Sequence, residues 1–129
     1  MSIRDLEAYT RSLWDWGIFD GVLPRGLHFG DLDGIAAFPG GFVIAIEGKR
    51  ANEAAPPVFR HKAQELGFRF WTENGRTTVY VIGGDPGTGR IYWVRVYENG
   101  QASPWRRTSL EEVREEIRRK ALEYDSWSA

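Results

Sequence analysis

The sequence predicts an α/β fold, a single mixed β-sheet flanked by helices. Three observations lead there. Segments rich in β-branched and aromatic residues recur at 35–38, 42–46, 77–82 and 91–97. An amphipathic helical stripe separates the second of these from the third, and another closes the chain. The resulting order, helix, strands, helix, strand, strand, helix, wraps two helical layers around one sheet.

Ser2 is a candidate N-cap with Asp5 three residues on, and Ile3, Leu6, Thr10, Leu13, Trp14 and Gly17 share one helical face. They predict a first helix over about 3–16. The Gly- and Pro-punctuated stretch 17–30 holds Val22-Leu23 and Leu27-His28-Phe29 as a candidate short strand. Pro39-Gly40-Gly41 supplies the turn of a tight hairpin. Residues 50–57 read as a loop, and Pro56-Pro57 suits the approach to a helix. Phe59, Ala63, Leu66 and Phe70 then form an apolar stripe, opposite a polar face with Arg60, His61, Lys62 and Gln64. Gly67 weakens that helix by ~1 kcal/mol relative to alanine, so it ends either near Leu66 or at Asn74-Gly75.

Along 91–97, Ile91, Trp93, Arg95 and Tyr97 alternate with Tyr92, Val94 and Val96. The intervening Gly83-Gly84-Asp85-Pro86-Gly87-Thr88-Gly89-Arg90 is not a phosphate-binding loop. Arg90-Ile91 replace the required Lys-Ser/Thr, and a strand follows where a helix should begin. It reads as a hairpin loop, with Arg90 a candidate substrate contact. Thr108 or Ser109 caps the last helix, whose buried stripe is Leu110, Val113, Ile117, Ala121 and Tyr124.

The chemistry concentrates at the open end of the first hairpin. With Pro39-Gly40-Gly41 as the loop, Phe38 faces Phe42, Asp33 falls opposite Glu47, and Asp31 opposite Lys49. Side chains alternate along strands, so Asp31, Asp33, Glu47 and Lys49 share one face. Carboxylates converging beside an ammonium suit a hard divalent ion, which takes oxygen ligands and keeps several waters. Asp33 and Glu47 are the first-choice ligands for Mg2+ or Mn2+, and the Gly48 carbonyl is a candidate third. The ion lowers the pKa of a bound water and offsets phosphoryl charge. Lys49 would position that water or stabilise the transition state. Gly48 would leave room on the strand's other face and let a substrate backbone come close. The structural alternative is a solvated charged hairpin end with Asp33-Gly34 as turn chemistry.

Trp14-Asp15-Trp16-Gly17, Gly30-Asp31-Leu32-Asp33-Gly34, Phe42 and Ile46-Glu47-Gly48-Lys49 together resemble small phage-type members of the PD-(D/E)XK, restriction-endonuclease-like nuclease superfamily. The likeness is best over the first half of the chain. It implies an αβββαβ core, here with an extra strand and a C-terminal helix, and a hydrolase with Asp33, Glu47 and Lys49 as catalytic residues. The proline that names the motif is absent, since Phe29-Gly30 precede Asp31. Members often carry a glutamine on the helix after the lysine, for which Gln64 is the candidate, and some use an acidic residue of the first helix, here Glu7, as an added ligand. An acidic-x-Lys triplet arises by chance about once in a chain of this size. Here it occurs once, ends an apolar strand, and follows an aspartate by one hairpin.

A chain of 129 residues suits one domain, 1–129, able to bury about two-thirds of its unfolded surface without staples. There is no cysteine, which excludes disulfides and the common structural zinc sites. No apolar stretch reaches the ~18 residues of a membrane span, and the N-terminus lacks a signal-peptide core. These features lead to the expectation of an intracellular protein, cytoplasmic or virus-encoded in a host cell, with no membrane partner. The net charge of −1 is unusual for a nucleic-acid enzyme. Glu111, Glu112, Glu115 and Glu116 are dense on the last helix, while Arg60-His61-Lys62, Arg106-Arg107 and Arg118-Arg119-Lys120 form basic clusters. An asymmetric surface would reconcile the two. Arg60, Lys62, Gln64 and Arg90 are the candidate nucleic-acid contacts.

Of six tryptophans, Trp14, Trp16, Trp71 and Trp93 read as packing residues, and Trp105 and Trp127 as exposed ones suited to base stacking or a subunit contact. His28 and His61 do not form a metal pair by spacing. The sequence therefore points first to a metal-dependent nuclease acting on DNA, or on RNA, as a homodimer or in a larger phage or DNA-processing complex. Endonuclease and exonuclease modes both fit. A non-catalytic nucleic-acid-binding or protein-interaction domain with the same fold is the alternative.

Overall fold

The computed structural model describes residues 14–26, 34–59 and 62–128. The described residues form β1 (Ile35–Ala37), β2 (Val43–Arg50), α1 (Lys62–Thr72), β3 (Thr77–Asp85), β4 (Arg90–Glu98), β5 (Gln101–Ala102), β6 (Arg106–Arg107) and α2 (Leu110–Trp127). Two short 3-10 turns, Trp16–Phe19 and Pro24–Gly26, precede them. The strands form one mixed sheet in the order β1-β2-β3-β4-β5, with β6 also on β4. Among the described residues only β2 and β3 pair in parallel, and such a pair requires a crossover, here α1. The expected architecture, one mixed sheet between helices, is the one observed.

The first hairpin has the expected register. Ile35, Ala36 and Ala37 pair with Ala45, Ile44 and Val43, and Phe38 N–H donates to the Phe42 carbonyl at 2.8 Å. Gly41 occupies the left-handed region at φ +85°, which the turn demands. Pairing extends to Gly34, whose carbonyl accepts from Ile46 N–H at 2.8 Å.

Strand alternation divides the core in two. Ile44, Ile46, Tyr80, Ile82 and Val94 face α2 and bury Val113, Ile117, Ala121 and Tyr124. Ser109 caps α2 by accepting from Glu112 N–H, so the closing helix and its stripe are as expected. Ala45, Val79, Val81 and Tyr97 face the other way, against Phe59, Phe68 and Trp105.

Several local expectations are corrected. Trp14 and Asp15 are not helical; Asp15 is extended and caps the turn at Trp16–Phe19. Val22 and Leu23 lie in a bend rather than a strand. Gly67 does not end its helix, which runs to Thr72. That helix also presents a different face. Ala63, Leu66 and Phe70 are exposed, whereas Gln64, Phe68 and Thr72 turn inward. Thr72 is buried, and its hydroxyl bonds the Phe68 carbonyl and accepts from Gly100 N–H. Trp71, expected in the core, is 39% exposed. Ile91 joins Val94 in the α2-side core because a bulge at Gly83/Gly84 shifts the register there. A Cβ at Gly84 would lie 1.9 Å from the Arg90 carbonyl oxygen, so glycine is required. The loop between β3 and β4 is a hairpin, its turn held by Asp85, which accepts from Gly87 N–H and Thr88 Oγ1.

The orientation of α1 is testable by paired truncations. Phe68→Ala should destabilise the protein by about 2 kcal/mol or more, and Phe70→Ala should stay within about 0.5 kcal/mol of wild type. Urea melts of the two variants check this; equal losses would contradict it.

Candidate functional site

Glu47 and Lys49 share a strand face with Ala45, the face that α1 covers. The crossover starts its helix over the C-terminal end of β2, as expected where parallel strands present their carboxyl ends. The first turn of α1 therefore lowers Gln64 onto the two charged side chains. Lys49 Nζ donates to Gln64 Oε1 at 2.5 Å, and Gln64 Nε2 donates to Glu47 Oε1 at 3.1 Å. Lys49 Nζ stands 3.8 Å from the same carboxylate oxygen. This amide orientation is the one that serves both neighbours, acceptor to the ammonium and donor to the carboxylate. Phe59 completes the setting, with Lys49 Nζ 5.1 Å from its ring centroid. Both charged residues stay partly open, Lys49 at 24% and Glu47 at 38% side-chain exposure. The second Glu47 oxygen has no protein partner among the described residues.

Gly48 leaves room on the strand's other face, as expected, and a side chain of this chain fills it. Its missing side chain makes room for Trp14 on the opposite sheet face, where a Cβ would fall 2.1 Å from Trp14 Cδ1. Trp14 in turn stacks on Trp16 with centroids 6.3 Å apart and planes 9° from parallel. The glycine thus admits an indole of this chain on that face.

The remaining expected residues divide. Asp33, Asp31, Glu7, Arg60, His28 and His61 lie outside the described residues. Lys62 opens α1 and is exposed. Arg90 stands exposed at the base of the β3–β4 hairpin and shares no hydrogen bond or ion pair with Glu47, Lys49 or Gln64 among the described residues. Among those residues no group of three or more His, Asp or Glu comes together as a metal-ligand set. No helix among them is long and apolar enough to cross a membrane.

Two residues near the site were not singled out from sequence as site residues. Arg95 projects from the site face of β4, and its guanidinium lies 5.1 Å from the Trp105 ring centroid. Trp105, expected to be exposed, is half-buried against Phe59. The alternation Trp93, Arg95, Tyr97 was the available signal, an arginine between two aromatics on one strand face. The basic clusters do not gather at this face as groups, although Arg107 lies against the Trp93 ring there. Arg106 pairs with Glu116, Arg118 with Glu115, and Lys120 with Glu98 and Glu123.

No family model matches the chain, and comparisons with the curated proteins and with the solved structures return no significant match.

The packing role of Gly48 predicts a coupled pair. Gly48→Ala should cost about 1–3 kcal/mol by driving a methyl into Trp14. Trp14→Ala should make that added methyl nearly neutral, giving a large coupling in a double-mutant cycle. Chemical denaturation of the four proteins checks this, and simple additivity would contradict it.

Proposed function

We propose that the chain is a metal-dependent nuclease of the PD-(D/E)XK type that hydrolyses phosphodiester bonds in DNA. One observation carries the reading: Gln64 bridges Glu47 and Lys49, which makes a single polar unit of an acidic residue, a lysine and the glutamine of the following helix. A solvated hairpin end needs no such bridge, since water would satisfy each group at no ordering cost.

Each group has a distinct task on this reading. Glu47 offers its unpartnered carboxylate oxygen to Mg2+ or Mn2+, with Asp33, two residues before β1 in the chain, and the Gly48 carbonyl as the other oxygen donors. The bound ion would supply a more acidic water and offset phosphoryl charge. Gln64 fixes one N–H of the Lys49 ammonium and leaves the other two for the attacking water or a phosphoryl oxygen. Phe59 screens one side of that ammonium from solvent and limits where it can swing. Glu47 is held by the glutamine on one oxygen alone, so its other oxygen keeps a fixed aim.

The exposed Leu66 and Phe70 favour a second reading, an accessory domain whose α1 face contacts a protein. Turnover separates the two. Single-stranded, duplex and branched DNA, and RNA, should be incubated with Mg2+ or Mn2+ beside an EDTA control. The expected result is metal-dependent cutting that falls by about a hundredfold or more in Glu47→Ala and Lys49→Ala. Gln64→Ala, which removes only the bridge, should lose about ten- to a hundredfold. Cutting that survives Glu47→Ala and Lys49→Ala, or no cutting of any substrate, would overturn the nuclease.

A further inference from the structure

Arg95 is a half-buried charge on the site face whose ion pair is loose. Its side chain is only 21% exposed, and that loose pair is its one ion pair among the described residues. Its Nε is buried without a partner, as is the hydroxyl of Tyr97 two residues on. The nearest carboxylate, Glu65, stands 3.9 Å from Arg95 NH1 and is already bonded to Arg69 at 3.1 Å. A partly buried guanidinium with one loose ion pair gains from an anion on its open side. Burial pushes the Tyr97 phenol above its ordinary range, with the neighbouring Arg95 pulling the other way, so no phenolate serves as that anion.

The sheet register fixes where this charge lies. Val81 pairs with Glu47 on one side and with Arg95 on the other, so all three sit in one cross-strand row. Two strand spacings separate the Glu47 and Arg95 backbones by about 10 Å. Phosphates of one nucleic-acid strand recur every ~3.4 Å along a duplex axis, so a strand reacting at Glu47 would bring another phosphate to Arg95 within a few nucleotides. Trp105 lies against the guanidinium, with its ring centroid 5.1 Å from Arg95 Cζ.

We propose that Arg95, set against Trp105, is a substrate-positioning residue that takes a non-scissile backbone phosphate of the nucleic-acid strand whose scissile phosphate lies at Glu47 and Lys49. This rests on the nuclease reading and adds a specific contact to it. Glu65 stays with Arg69 when the phosphate arrives, so the contact requires no change in α1.

The salt dependence of binding tests it. Fluorescein-labelled single-stranded and duplex DNA would be titrated with wild type, Arg95→Met and Arg95→Lys in EDTA, across a series of KCl concentrations. Removing one phosphate contact lowers the slope of log affinity against log salt by about 0.7 on single strands and about 0.9 on duplex. Arg95→Met should show that drop together with weaker binding. Arg95→Lys keeps the charge but not the fork, so it should retain the slope and bind less tightly. A merely structural role would leave the slope of the folded fraction unchanged. A wild-type slope and affinity in either variant overturns the subsite while the nuclease stands. Absence of binding by wild type to both probes, together with no cleavage, would overturn both.

Discussion

The parallel pairing of β2 with β3 is the constraint on which the site depends. Strands that run the same way cannot be joined by a tight turn, so the chain must cross one face of the sheet between them. That crossing is α1, and its first turn meets the end of β2 that carries Glu47 and Lys49. Gln64, 15 residues from Lys49 and 17 from Glu47 in sequence, reaches both charged groups because of this connection. The antiparallel partners, β1 and β4, extend the sheet on either side and set the row in which Glu47, Val81 and Arg95 align.

The same constraint explains what was legible in the sequence and what was not. The first hairpin was legible because Pro39-Gly40-Gly41 allows few connections and its register follows by counting. The closing helix was legible because a largely apolar stripe, Val113, Ile117, Ala121 and Tyr124, meets a largely apolar sheet face, the Tyr124 and Thr78 hydroxyls bonding each other within it. The face of α1 was misread for a physical reason. Beneath its first turn the sheet presents a carboxylate and an ammonium, and such groups demand a polar partner. The helix therefore turns Gln64 and Phe68 inward and leaves Leu66 and Phe70 outside, against its own apolar pattern. A conflict between local pattern and tertiary placement is expected where a site overrides packing. Ile91 was misplaced because a one-residue bulge reverses a strand's faces and leaves no mark in the alternation before it.

Charge is distributed by layer. The acidic run of Glu111, Glu112, Glu115 and Glu116 belongs to α2, across the sheet from Lys49 and Arg95. Several arginines of α2 and β6 are bound up in ion pairs with that layer's own carboxylates. Consecutive residues of β6 part ways, Arg106 toward Glu116 and Arg107 onto the Trp93 ring and the Glu53 carbonyl. A net charge of −1 is therefore compatible with a site face whose cations, Lys49, Arg95 and Arg107, each lie against an aromatic ring. Rings of this kind shed the water that would otherwise screen the charge, which strengthens its pull on an anion.

The central claim is that Glu47 is an oxygen ligand for a divalent ion. Mn2+ binding, followed by loss of its free-ion paramagnetic resonance signal, measures this without substrate or turnover. Wild type should bind Mn2+, and Glu47→Gln, which keeps the shape and the Gln64 contact but removes the charge, should lose it. Binding unchanged in Glu47→Gln, or no binding by wild type, would contradict the account.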